Sequence, residues 1–394
     1  MNTIKLGNVS KLITKGTTPT TLGSDFVSEG VNFVKSESIT DSKYLDSTIF
    51  EHITPETNEK MKRSQLKEND LLFSIAGAYL GKVGIVRNVD LPLNTNQAVG
   101  IVRLDTEKVN IDYAYYYFTQ KSMNSYMNKL SAQSAQPNLN LEMLGNLPIY
   151  LPDLPTQKKI ADVLSCIDDK IALNNKTNSE LENMAKTVYD YWFTQFDFPD
   201  ANGKPYKTSG GKMEYNEVLK REIPAGWEVG CFGDLIEIGN GKDHSKLAEG
   251  DIPVYGSGGL MRTVEKSLYE GESVLFPRKG TLNNVMYVNE SFWTVDTMFY
   301  SIPKIENVPL YVFYNAKHFD FEKMNTGTGV PSMTSSIIKE LPIVIPDSNV
   351  LKKFNDKIQP IYHQIFRKQK ENEELTKLRD YLLPLLMNGQ IEVK

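Results

Sequence analysis

The chain has 394 residues, 40% hydrophobic and 24% charged, with a net charge of −5 and a pI near 5.6. That excludes a globally basic nucleic-acid coat, although local basic faces survive, because charges are screened beyond about 8–10 Å at physiological salt. Two cysteines, Cys166 and Cys231, are too few for a disulfide framework and lack metal-ligand spacing. No apolar run approaches the roughly 20 residues that span a bilayer, and MNTIKLGNVSKLITKG lacks a signal-peptide core, so a cytoplasmic protein without membrane contact is expected.

In chain order, residues 1–150 form a first globular part. VNFVKSESI, DLLFSI, KVGIVRNV and AVGIVRL have strand patterns, and DYAYYYFTQKSMNSYMNK (112–129) a helical one. NLPIYLPD (146–153) leads into residues 151–195. There Ile160, Leu164, Ile167, Ile171, Asn174, Asn178, Leu181, Ala185, Val188 and Trp192 alternate steps of four and three, a coiled-coil seam. A helix over 156–193 would be about 55 Å long at 1.5 Å per residue. Residues 196–226, rich in Gly, Pro, Lys and Asp, read as a linker. A second globular part, 227–345, has strand patterns in DIPVYGS, SVLFPR, NNVMYVN and FWTVDTMFYSI, and a helical one in 309–324. ELPIVIPD (340–347) then leads into a second long helix over 346–394. Its seam is Phe354, Ile358, Ile361, Ile365, Lys368, Asn372, Leu375, Arg379, Leu382 and Leu386. Pro360 predicts a kink or break there.

The two octets are 194 positions apart, and with that offset the match extends on both sides. Pro137 pairs with Pro331, Lys158-Lys159 with Lys352-Lys353, Ile167 with Ile361, Asn178 with Asn372 and Leu181 with Leu375. Further upstream the offset drifts, but LLFSIAG (71–77) still resembles VLFPRKG (274–280). The chain is a tandem duplication of a globular α/β (α+β) part followed by a long helix. The two helices are expected to pair with each other, antiparallel, which would create a pseudo-two-fold with one globular part at each end of the rod. Polar seam residues would fix their register, so leucine at Asn174 and Asn178 would stabilise the pair but permit altered register. Two amphipathic helices, each packed on its own domain, remain the alternative.

Catalytic constellations are missing. GAYLGK (77–82) is one residue short of a phosphate loop, and Val83 stands where Ser or Thr would hold a metal. GSGG (256–259) and GTG (327–329) read as turns. His52, His244, His318 and His363 have no metal spacing. Asp168-Asp169-Lys170 mimics a nuclease D-x-K element but falls on the helix, where a solvated face is expected. The pattern suits recognition without catalysis.

Several segments together carry a family resemblance: KLITKGTTP, LLFSIAGAYLGKVGIV, NLNLEMLGNLPIYLPDLPTQKKIADVL, FDFPDANGKPYKTSGG, REIPAGWEVGCFGDLIEIGNGK and LRDYLLPLLMNGQIEV. Over nearly its full length the chain resembles the specificity subunit of type I restriction–modification systems. SNVLKK replaces PTQKK in the second repeat, a departure that bears on helix geometry. The resemblance implies two target recognition domains, each reading half of a bipartite sequence in double-stranded DNA, and two helices that set the unread spacer. It implies a non-catalytic scaffold for two methyltransferase subunits and for restriction/translocase subunits. S-adenosylmethionine, ATP and Mg would be held by those partners, with no cofactor on this chain. DNA-contacting candidates are then Lys15, Thr17, Thr18, Tyr79, Lys82, Gln136 and Asn138 in the first domain, and Lys242, Arg278, Lys279, Asn283 and Ser332 in the second. A self-contained DNA-modifying enzyme and a coiled-coil adaptor without a DNA role stay open beside this reading.

Overall fold

The computed structural model describes residues 3–132, 138–327 and 329–393. The chain divides into two compact units, residues 1–174 with 371–394, and residues 175–370. The division falls inside both long helices, Leu154–Tyr189 and Ser348–Met387.

In the first unit, a four-stranded antiparallel sheet orders its strands Ser10–Lys15, Val99–Leu104, Leu71–Ser74 and Val83–Ile85. A three-stranded sheet orders Glu51–Ile53, Val31–Val34 and Leu93–Thr95, the last two parallel. The second unit repeats this plan as one six-stranded sheet. Its order is Ile236–Asn240, Met298–Pro303, Tyr269–Pro277, Met286–Thr294, Ile252–Gly256 and Gly259–Val264, with Ile252–Gly256 parallel to Met286–Thr294. The sheets merge because Met286–Thr294 is one nine-residue strand, whereas the turn at Asn88–Asp90 interrupts its counterpart.

The repeated octet is an edge strand. Pro148–Tyr150 pairs antiparallel with Thr3–Lys5, and Pro342–Ile345 with Glu228–Cys231. A buried tyrosine ties each to the helix beneath: the Tyr113 hydroxyl donates to the Tyr150 carbonyl (2.8 Å), and that of Tyr311 to the Val344 carbonyl (2.6 Å). Positions 150 and 344 differ by the same offset of 194.

Each long helix begins on the core of its own unit. Ile160, Ala161 and Leu164 join Leu71, Phe73, Tyr113 and Tyr116 in the first unit. Val350, Leu351, Phe354 and Ile358 join Phe276, Tyr311 and Phe313 in the second. The helix segments also meet each other antiparallel within each unit. In the first unit Asn174 meets Asn372 and Asp168 meets Arg379. In the second, Phe354 packs on Tyr189, Trp192 and Phe193. All the seam positions named above are buried or half-buried.

Several expected elements are revised. The second long helix runs unbroken past Pro360. That ring lies on the solvent face, so the carbonyl it leaves free, on exposed Asp356, can turn to water. FWTVDTMFYSI is not one strand: a turn closed by Met298 N–H donating to the Val295 carbonyl (2.9 Å) divides it. The 112–129 pattern is two helices, Ile111–Thr119 and Lys121–Ser131, broken at Gln120, whose side-chain amide donates to the Tyr117 carbonyl (3.0 Å). The 309–324 pattern likewise yields Pro309–Ala316 and then a short 3-10 turn, Phe321–Met324. The linker is folded: Met213–Asn216 pairs with Arg221–Pro224, and Phe198 stacks between Tyr206 (4.7 Å) and Trp227 (4.9 Å). Asp168 is not solvated. It is mostly buried, accepts from the Tyr116 hydroxyl (2.7 Å) and pairs with Arg379 (3.0 Å). Burial, followed by the bond to Asp168, pushes the Tyr116 hydroxyl far above its ordinary range, so it stays a donor.

Among the described residues, no helix is long and apolar enough to cross a membrane, and no group of three or more His, Cys, Asp or Glu side chains could hold a metal ion.

Candidate nucleic-acid interface

Each unit builds the same backbone frame where its strands end, from three equivalent hydrogen bonds. In the first unit, Gly16 N–H donates to the Val99 carbonyl (3.4 Å), Ile75 to Ala98 (2.9 Å) and Leu139 to Ile75 (2.8 Å). In the second, Gly241 donates to Met298 (3.0 Å), Arg278 to Thr297 (2.8 Å) and Met333 to Arg278 (2.9 Å). Isolated bridges Ala76–Asn138 and Lys279–Ser332 complete the match. Gly16 and Gly241 are required by crowding. A Cβ on either would lie 1.9 Å from a carbonyl oxygen, that of Thr95 or of Val295.

Different side chains stand on these equal frames. In the second unit Arg278, Lys279 and Ser332 line one hollow of about 260 Å³, joined by Asn240, Thr334 and Ser335. The Arg278 guanidinium lies 5.7 Å from the centre of the Phe299 ring, and Lys279 is exposed. Lys242 is exposed beside this hollow, with its backbone fixed by its N–H to the Thr294 carbonyl and by the Trp293 indole N–H donating to its own carbonyl (both 2.9 Å). Asn283 is not among the lining residues. Its carbonyl accepts from Phe321 N–H (2.8 Å) and its amide donates to Asp320 (3.2 Å), so it holds the 320–321 turn.

In the first unit, Lys15, Thr17, Thr18 and Asn138 stand at the corresponding frame, while Ile75 and Ala76 occupy the places of Arg278 and Lys279. The Thr18 hydroxyl bonds to Gln97, and the Thr17 hydroxyl lies 3.5 Å from Arg63. Tyr79 and Lys82 sit on the loop that follows. The Lys82 ammonium lies 5.6 Å from the centre of the Tyr79 ring and 3.3 Å from Asp41. They line a cleft of about 930 Å³ with Asn124, Asn128, Asp168 and Arg379. Gln136 lies outside the described residues.

Sequence reasoning missed Asn240, Gln97 and Arg63. The repeat could have found Asn240, which precedes Gly241 as Lys15 precedes Gly16. Gln97 and Arg63 carry no comparable signal, because they reach the frame from a turn and from the separate 3-10 helix Lys62–Ser64.

The family model described as "Type I restriction modification DNA specificity domain" matches the chain twice, over residues 1–183 and 224–377. The chain belongs to the type I restriction–modification DNA specificity family. It is 27% identical to the type I restriction enzyme MjaIX specificity subunit of Methanocaldococcus jannaschii, over 96% of this chain and 91% of that protein. It is 21% identical to the HindI specificity subunit of Haemophilus influenzae, over 92% and 94% of the two. The crystal structure of a type I restriction–modification S subunit from M. genitalium shares the fold, with a TM-score of 0.62, 16% identity and coverage of 98% of this chain and 95% of that one. The two matched regions place one specificity domain on each of the equivalent frames.

Proposed function

We propose that this chain is the DNA-specificity subunit of a type I restriction–modification complex, in which each unit reads one half of a bipartite duplex sequence. The observation that carries this is the pair of equal backbone frames bearing unequal side chains. An equal frame gives both units the same way of approaching a duplex. Unequal side chains make them read different bases, because base edges are distinguished by the donors, acceptors and apolar groups offered to them. Arg278 suits a guanine edge or a phosphate, and Lys279 a phosphate. Lys15, Thr17, Thr18, Asn138, Lys242 and Ser332 supply further polar contacts, and Tyr79 and Lys82 flank the first frame. Asn283 serves as a positioning residue. With a net charge of −5, overall attraction to DNA is weak, and the methyltransferase partners supply the remaining cationic surface.

In this reading the long helices, each holding residues of both units, set the number of unread base pairs and carry two methyltransferase subunits, with restriction/translocase subunits joining the full complex. The chain performs no catalysis. S-adenosylmethionine, ATP and Mg belong to the partners, and the complex works in the cytoplasm on chromosomal DNA.

The test is selection from a random duplex library by the chain purified with its methyltransferase partner. A single two-part motif with a fixed gap is expected, with affinity falling steeply as salt rises. Enrichment of no sequence, or of the same motif by the methyltransferase alone, would overturn the reading.

A further inference from the structure

The Ile252–Gly256 and Gly259–Val264 strands form a tight hairpin whose turn residues are Ser257 and Gly258. Consecutive strand residues normally face opposite ways. Here the register shifts opposite Val254 and Tyr255, so that Val254 faces Arg262 and Tyr255 faces Leu260, leaving Met261 as the additional residue. A bulge of this kind re-aims side chains. Its result is that Leu260 and Met261 are both exposed, by 53% and 58%. At the tip the backbone is open: among the described residues, none would come within 4 Å of a Cβ on Gly258.

The hairpin tip abuts the candidate interface. The Asn284 amide donates to the Ser257 carbonyl (2.8 Å), and a Cβ on Gly280 would lie 2.7 Å from the Ser257 hydroxyl. Gly280 follows Lys279 directly, and its N–H donates to the Pro331 carbonyl (3.0 Å). Beside Pro331 stands Val330, 61% exposed. Met261 lies over Gly256, where a Cβ would come 2.5 Å from its sulfur, and Leu260 and Val330 stand on the two segments that meet the loop of Arg278 and Lys279. Single exposed apolar residues are ordinary, but a group beside a cationic loop is a recognition surface. The neighbouring cations select a polyanion as its occupant.

We propose that the 252–264 hairpin enters the major groove of the half-site read by the second unit, where Leu260 and Met261 pack on thymine methyl groups. This inference rests on the reading that the second unit binds DNA. Two strands lie about 4.8 Å apart. A ribbon of that width with its side chains fits a major groove about 12 Å wide, but not a minor groove about 6 Å wide. The thymine methyl is the one apolar group on the major-groove edge of a standard base pair. Arg278 and Lys279 then fix the ribbon against adjacent phosphates or a guanine, and the apolar pair adds readout without charge.

The experiment uses the chain with its methyltransferase partner on a duplex carrying the selected motif. The second unit's half-site is the one whose base preference Arg278→Ala relaxes. Each thymine there is replaced singly by deoxyuridine, which removes only the methyl. At one or more positions the wild-type complex should bind about four-fold more weakly, the equivalent of one buried methyl group. The Leu260→Ala/Met261→Ala complex should bind the thymine duplex about ten-fold more weakly, ignore deoxyuridine, and keep the wild-type salt dependence. Both side chains are exposed, so an unchanged urea midpoint verifies folding. Indifference of the wild type to deoxyuridine at every thymine, or full affinity and an unaltered motif in the double variant, overturns the inference while leaving the DNA reading intact. Failure of the wild-type complex to select any two-part motif removes both.

Discussion

Asn174 tests what holds the helix register. It is fully buried, and its amide donates to the Asn372 carbonyl (2.9 Å) and to Glu371 (3.0 Å). Asn174→Leu removes a neutral bond worth about 0.5–1.5 kcal/mol and a charge-assisted one worth about 1.5–3 kcal/mol. Burying leucine returns about 1.5–3 kcal/mol. The single substitution should therefore cost ~0.5–1.5 kcal/mol. Asn174→Leu with Asn372→Leu removes both partners of the neutral bond and leaves Glu371 half-exposed beside Lys170 (3.4 Å), so its stability should return to within ~1 kcal/mol of wild type. Urea unfolding of all four members of the cycle, followed by far-UV circular dichroism, measures this. Tryptophan fluorescence would not suffice, because Trp192, Trp227 and Trp293 all lie in the second unit. The polar pair is nonetheless too weak to decide register. Leu386 and Met387, at the end of the second long helix, are buried in the core of the first unit. A slip of one heptad would withdraw both, at about 3–6 kcal/mol. The double variant should therefore keep the wild-type spacer in its methylation motif, contrary to the expectation that polar seam residues set it. Additive costs in the cycle would refute the energetic argument, and new spacer lengths would refute the anchoring argument.

Other outcomes follow from the same geometry. Arg278→Ala should cost ~1–3 kcal/mol in DNA binding and relax one base position, whereas Lys279→Ala should weaken binding to all sequences and lower the salt slope by about one; titrations at several salt concentrations separate them. Arg103→Met should destabilise the first unit by ~3 kcal/mol, because Arg103 grips the fully buried Asp70 with two bonds of 2.7 Å and its loss leaves that carboxylate without a counter-charge, held by the Lys67 N–H (2.8 Å); urea unfolding by circular dichroism measures it. Burial raises the Glu272 carboxyl above its ordinary value of 4.5, against the lowering effects of the Tyr287 hydroxyl and His363. A raised folded-state pKa contributes stability that is complete below the unfolded value and fades as pH climbs through the raised one. Glu272→Gln should therefore flatten the decline of second-unit stability above about pH 4.5, read by tryptophan fluorescence in urea at a series of pH values.

Periodicity exposed the long helices because their seams recur over many turns, and the 194-residue offset exposed the duplication because it survives where helix meets head. It failed where one side chain decides the outcome. Gln120 turns extended between the two helices and folds its side-chain amide back onto the Tyr117 carbonyl, and the Val295–Thr297 turn is hidden inside an apolar run. Composition marked 196–226 as a linker, yet Phe196, Phe198 and Trp227 pack it closely, since three aromatics outweigh many small polar residues. Of the candidate interface, the hollow that Arg278, Lys279 and Ser332 line was legible as polar residues beside a strand end. Asn283 was not distinguishable from them, because only the fold shows that its amide is engaged by Asp320 and Phe321. The Leu260–Met261 pair was invisible in the sequence, since the bulge that exposes it depends on register with Val254 and Tyr255.

The central claim is that this chain dictates which sequence a partner methyltransferase modifies. The most direct measurement is a genome-wide map of methylated bases in a host without other DNA methyltransferases, expressing the partner methyltransferase alone, with this chain, or with its Arg278→Ala variant. The account predicts one asymmetric two-part motif that appears only when both proteins are present and loses stringency in one half with the variant. The same motif from the methyltransferase alone, or methylation unchanged by the chain, would contradict it.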